Sequence, residues 1–286
     1  MYTTYSRSLR ETACELRRRY GPDGPPYDPF LIARRLGVRV THAALDGTDG
    51  YVQVRDGQWH AVISSRSNLA RQRFTLGHEL GHVILMRGAQ RGEFRCLTRY
   101  RTHEFAPGVH QDPLEEALCN AFADELLLPA DEILDRFGLD RSNPASVVPC
   151  VVFEVARAFG VSVQAAAVKV VKMLGARRTG CCLWDLETLW PVALWWTGLR
   201  LPYTRNREKL QSLIGMSVKS RTSVMELWKA KEYWTKVQTA ITPRGRFALV
   251  LLRRVDAPMR AARTGRESTA VRPQQGELFS NTMQAS

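Results

Sequence analysis

No apolar run in this 286-residue chain reaches the roughly 18 residues that a membrane-spanning helix needs. Its opening stretch, MYTTYSRSLRETACELRRRY, has no apolar segment of the kind a secretion signal carries. Cysteine is sparse too. The six cysteines form no C-x-x-C pair, and Cys181 and Cys182 are neighbours, a poor geometry for a disulfide. Reduced thiols and a cytoplasmic location are therefore expected. What remains is ordinary for a chain that buries a core: 44% of residues are apolar, in a length that suits one large or two small domains.

Negative charge is scarce in one half only. Residues 1–174 carry 22 Lys+Arg against 20 Asp+Glu, whereas residues 175–286 carry 19 against 8. Six of the seven tryptophans also lie beyond residue 180. The split predicts two unlike parts, and the basic one could meet nucleic acid or an acidic partner, or be solvated surface with a basic tail.

Histidine is rare, with six in the chain, yet two of them fall in Phe74–Met86, FTLGHELGHVILM. His78, Glu79 and His82 spell H-E-x-x-H, for which this composition predicts roughly 0.007 chance matches. On a helix, positions i and i+4 share a face, so both imidazoles can grip one metal ion. Glu79 is then placed as general base on an attacking water. Gly77 and Gly81 each cost about 1 kcal/mol of helix propensity against Ala, so something is expected to approach the backbone closely there.

The rest of the chain supplies a frame for this helix. Residues 5–20 read as an amphipathic helix, followed by the breaker GPDGPP at 21–26. Phe30–Leu36 reads as a second helix and Val38–Val40 as a strand. Tyr51–Val54 and Trp59–Ile63 flank Asp56-Gly57, a hairpin signature. Zinc peptidases commonly set a sheet edge beside the metal helix, where substrate adds as a strand. His60, on the hairpin, reads as a surface or core histidine.

A third ligand must come from elsewhere. The metzincin extension would need Gly at position 85 and His at 88, where the chain has Leu85 and Gly88. The helix EEALCNAFADELLL, ending at Pro129, is the better source. Asp112 suits its N-cap, Pro113 its first position, and Glu115 a capping box. Glu116 would complete a His₂Glu site with an open fourth position. Asn120, on the same face, would hydrogen-bond one histidine from behind. His103, His110 and Asp112 are rival ligands.

R-Q-R-F-T-L-G-H-E-L-G-H at 71–82, with E-A-L-C-N-A-F-A-D-E-L-L-L-P at 116–129, resembles the ImmA/IrrE family of metallopeptidases. The resemblance covers about residues 25–175. It implies zinc, with other divalent metals such as manganese as alternatives, held by His78, His82 and Glu116. Glu79 is the implied base, and Asn120 the implied support. It also implies a substrate class: helix-turn-helix repressors whose cleavage relieves repression in a stress or DNA-damage response. Two other functions stay open. One is a DNA-binding or sensory regulator with a vestigial peptidase fold, and the other a phage-immunity or toxin–antitoxin peptidase. For an oxyanion donor, Tyr100, His103 and His110 are the candidates.

After a helix at Ala130–Phe137, Val147–Phe159, Gly160-Val161-Ser162 and Val163–Leu174 read as a helix-turn-helix, with Ser162 capping the second helix. As a DNA reader that helix offers only Gln164, Lys169 and Lys172, too few for base readout, so packing is the expected role. Residues 181–254 read strand, strand, helix, helix, strand. The strands are Cys181–Trp184, Trp190–Thr197 and Phe247–Leu252. Helices are expected at Asn206–Ile214 and Val224–Thr235, with Gly215-Met216-Ser217 in the loop between them. This region resembles the GAF-like sensor domain of the IrrE type.

The fold expected is α+β: a mainly helical, zincin-like metallopeptidase domain with a small antiparallel sheet, a helix-turn-helix unit and a C-terminal α/β GAF-like domain. The expected limits are 1–145 for the peptidase, 146–176 for the helix-turn-helix unit, 177–256 for the sensor or control domain and 257–286 for a disordered tail. Expected partners are a helix-turn-helix repressor as substrate, DNA as the alternative, and no membrane.

Overall fold

A computed structural model describes residues 2–90, 113–140, 148–174, 179–188, 190–196, 203–229, 234–243 and 245–255. The expected tail and the loop with Tyr100, His103, His110 and Asp112 lie outside the described residues. The molecule is α+β. Among the described residues no single helix is long and apolar enough to cross a membrane.

Helix α1 (Tyr2–Tyr20) buries Leu9, Ala13 and Leu16, one face at helical spacing. Helix α2 (Pro29–Arg35) starts where the Asp28 carboxylate accepts from the Phe30 N–H at 2.9 Å. Strands β1 (Val38–Ala43), β2 (Gly50–Arg55) and β3 (Gln58–Ser64) form a sheet in the order β1-β3-β2. Asp56 and Gly57 both take positive φ (50° and 72°), as a tight two-residue hairpin turn demands. The expected antiparallel sheet is corrected to a mixed one, because β1 pairs parallel to β3. The hairpin reverses the chain at β2 and reverses it again, so β3 runs in the direction of β1, and β2 is left as an edge.

Helix α3 (Leu69–Gln90) packs on α4 (Pro113–Leu127). Gly77 and Gly81 make this possible. A Cβ at Gly81 would stand 3.0 Å from the Cys119 Cα, and one at Gly77 3.3 Å from the Ala123 Cβ. Their cost in propensity is thus offset by backbone-close packing of the two helices that matter most.

Helices α5 (Ala130–Phe137), α6 (Pro149–Phe159) and α7 (Val163–Met173) follow. Gly160 (φ 61°) ends α6, the Ser162 hydroxyl caps α7 by accepting from the Ala165 N–H at 3.1 Å, and the two helices meet at 116°. Of the three polar groups on α7, Lys169 is only 4% exposed, and its ammonium donates to Asp124 and Glu125 of α4 at 3.2 and 3.1 Å. It is spent on docking α7 to α4.

The second sheet has the order β5-β4-β8-β7-β6 and is antiparallel throughout. Its strands are β4 (Thr179–Asp185), β5 (Trp190–Trp196), β6 (Val224–Lys229), β7 (Trp234–Ile241) and β8 (Phe247–Val255), with α8 (Tyr203–Ser220) on one face. The helix expected at Val224–Thr235 is corrected to β6 and the start of β7. Met225, Glu226, Leu227 and Lys229 favour a helix locally. Cross-strand pairing prevails: Trp228 is buried while Met225 and Leu227 point outward, a period of two. Gly215-Met216-Ser217 lies inside α8, not in a loop, and the buried Ser217 hydroxyl bonds the Thr239 carbonyl of β7 at 3.1 Å. One apolar cluster joins Leu127, Val155, Phe159 and Val170 to Cys181, Leu249 and Leu251, so it runs from α4 through α6 and α7 into the second sheet.

Candidate metal centre

Helices α3 and α4 bring six polar side chains together. His78, Glu79 and His82 come from α3, and Glu115, Glu116 and Asn120 from α4. The close approach at Gly77 and Gly81 lets short side chains meet across the gap. His78 Nε2 and His82 Nε2 are 3.1 Å apart. His78 Nε2 lies 3.2 Å from Glu116 Oε2, and His82 Nε2 lies 3.3 Å from Glu116 Oε1. Each of the three residues presents one potential ligand atom, all within 4.8 Å of one another.

The imidazoles are held from behind. His78 Nδ1 is 3.1 Å from Asn120 Oδ1, and His82 Nδ1 is 2.7 Å from Glu115 Oε1. Both partners accept, so both Nδ1 atoms donate and both Nε2 lone pairs point at Glu116. Glu116 Oε1 is buried and receives no hydrogen bond. Such an orphan acceptor facing two bare imidazole nitrogens calls for a cation. The spacing suits one: a tetrahedron with bonds of about 2.0–2.2 Å has edges of roughly 3.3–3.6 Å, within a few tenths of those found.

Electrostatics follow from the packing. Burial pushes the Glu116 carboxyl up, and positive charge in front of it, carried by the imidazoles as imidazolium when no metal is bound, outweighs burial and holds it down to about 2. Burial pushes the Glu79 carboxyl above its ordinary value, against the opposing pull of His82 and His78. Glu79 is thus readier to take a proton than a solvated carboxylate. His78, Glu79, Glu116 and Asn120 open onto a cleft of about 250 Å³, whose other walls include Asp49, Gly50, Arg71, Phe74 and Thr75. The cleft adjoins the start of β2, the edge strand.

A family model of the IrrE N-terminal-like domain, a peptidase family, matches residues 33–171. Residues 33–171 belong to the ImmA/IrrE family. Two relatives are each named radiation response metalloprotease IrrE. The one from Deinococcus deserti is 33% identical over 129 residues, 43% of this chain and 42% of its own length. That from Deinococcus radiodurans is 35% identical over 117 residues, 36% of this chain and 34% of its own length. The match therefore spans less than half of either relative. A solved structure titled Mycobacterium tuberculosis transcriptional regulator shares the fold, with a TM-score of 0.53 over 87% of this chain and 88% of that one, at 14% identity. The ImmA/IrrE match begins in α2 and ends in α7, so the metal-centre helices and the α6–α7 pair lie inside it.

Glu115 has a partner that the sequence reading did not assign. Its Oε1 bonds His82, while Asp112, the expected partner in a capping box, lies outside the described residues. Successive residues on a helix diverge by about 100°, so Glu115 and Glu116 cannot both face the front of the histidines. One reaches Nε2 and the other Nδ1. That an adjacent carboxylate pair must split in this way was the signal available in the sequence. The cleft residues Asp49, Arg71, Phe74 and Thr75 carried no such signal. His60 sits on β3, away from the cluster.

Proposed function

We propose that this chain is a zinc-dependent endopeptidase that cleaves a helix-turn-helix repressor and so relieves repression in a stress or DNA-damage response. The observation that carries the reading is the convergence of two bare imidazole nitrogens and an orphan carboxylate oxygen beside the buried Glu79. His78, His82 and Glu116 would hold the metal, with Asn120 fixing the ring of His78. A divalent cation, when bound, polarises a carbonyl and acidifies water.

The protein's own groups do the rest. Glu79 takes a proton from the attacking water while that oxygen bonds to the scissile carbonyl carbon. As the C–N bond breaks, Glu79 returns the proton to the leaving amine. The edge of β2, which pairs with no further strand among the described residues, suits an extended substrate segment added as another strand, which would lead the scissile bond over the cleft. The antiparallel β4–β8 sheet with its covering helix α8 supports a GAF-like control role for residues 177–256, and the α6–α7 pair supports packing, since Lys169 is withdrawn from any DNA.

Glu79→Gln keeps the shape and the ligands but accepts no proton. It should retain one metal per chain while cleavage of the repressor, followed by mass spectrometry, falls by about 10²–10⁴. Glu116→Ala, by contrast, should lose the metal. Wild-type cleavage by Glu79→Gln would sink the mechanism, and a metal retained in Glu116→Ala would sink the ligand set.

A further inference from the structure

The two histidines are supported unequally. His78 leans on the neutral amide of Asn120, whereas His82 leans on a carboxylate, with the His82 and Glu115 side chains only 3% and 8% exposed. We propose that Glu115 is a positioning residue for metal binding: by accepting from Nδ1 it locks His82 in the tautomer and ring orientation that aim Nε2 at Glu116. The inference rests on the metallopeptidase reading above and adds to it a residue outside the ligand set.

Three observations converge. The contact is the shortest in the cluster, 2.7 Å, as befits a hydrogen bond to an anion. An imidazole that donates from Nδ1 to a carboxylate is a stronger donor at Nε2 than one that donates to an amide. Charge balance points the same way. Glu79, Glu115 and Glu116 surround two imidazoles, and among the described residues Glu115 and Glu116 form ion pairs with those histidines alone. Among the described residues no lysine or arginine pairs with Glu115 or Glu116, so a divalent cation in front of the rings would balance their charge. Glu115 therefore serves the metal through His82 without touching it.

The decisive variant is Glu115→Gln, whose amide oxygen can still accept from Nδ1 while the charge is gone. Zinc affinity of the full chain would be measured by competition with a chelating dye, beside the visible absorption of the cobalt-substituted protein and the Tm of the metal-free form. Glu115→Gln should bind zinc about 10-fold more weakly, and Glu115→Leu up to about 100-fold, with a displaced cobalt band in each. Should Glu115→Leu fail to fold, Glu115→Gln decides alone. Zinc affinity in Glu115→Gln within twofold of wild type, with an unmoved cobalt band, overturns the proposal and leaves the metallopeptidase reading standing. A folded wild-type chain that binds no zinc overturns both.

Discussion

Gly81 shows at the scale of one residue how little room the metal centre has. Its missing Cβ is what lets α4 lie against α3, since an added methyl would stand 3.0 Å from the Cys119 Cα and 3.1 Å from its Cβ. Backbone cannot swing aside as a flexible side chain can. Gly81→Ala should gain helix propensity yet lose about 1–3 kcal/mol overall to overpacking, read as a lower Tm. It should also separate Glu115 and Glu116 from the histidines, so zinc affinity should fall with it. A Tm equal to or above wild type would mean that the two helices have slack. The same residue marks how much could be read from the chain alone: two costly glycines announce a close neighbour, but not which one.

Between elements, the contacts that orient the metal helices are polar and partly buried. Lys169 of α7 holds Asp124 and Glu125 of α4, which are 25% and 17% exposed. Lys169→Met would keep the volume and leave two carboxylates beside each other without their cation. The loss should be about 1–3 kcal/mol, below the 3–5 kcal/mol of a fully buried pair, because both acids still see water. Urea unfolding of the two proteins measures it, and an unchanged midpoint would mean that these ion pairs add no net stability. Tyr27 makes a second link by donating its hydroxyl to Glu132 of α5. Burial first, then that hydrogen bond, pushes its phenol up from 10.0 to about 12. A group whose pKa is raised on folding stabilises the protein fully below its unfolded value and ceases to do so as pH rises through the folded one. Wild type should therefore lose stability between about pH 10 and pH 12 that Tyr27→Phe never had. Parallel stability curves for the two across that window would count against the link.

On the scale of the whole molecule, the change of composition near residue 175 does not coincide with a break in the core. Val170 and Phe159 share one apolar cluster with Cys181, Leu249 and Leu251. Ending the chain after Gly175 would expose that face of α6 and α7 to water. The shortened protein should melt several degrees lower than the full chain, since a loss of about 1 kcal/mol shifts Tm by about 2–4 °C at this size, and should tend to self-associate. Calorimetry and light scattering on residues 1–175 test this. A monomer with an undiminished Tm would show instead that the metal-centre part is independent.

Local pattern determined the parts of this protein whose partners are near in sequence. H-E-x-x-H, the hairpin at Asp56-Gly57, the Ser162 cap and the helix of Glu116 and Asn120 each follow from spacing within a few residues. Tertiary structure decided the rest. Val224–Thr235 carries good helix formers, and only a neighbour at β7 makes Val224–Lys229 a strand, because hydrogen bonds across the sheet outweigh a propensity of tenths of a kcal/mol per residue. β1 runs parallel to β3 because the intervening hairpin doubles back, which no local signal records. The bond from Glu115 to a histidine 33 residues away exists only because α4 packs on α3.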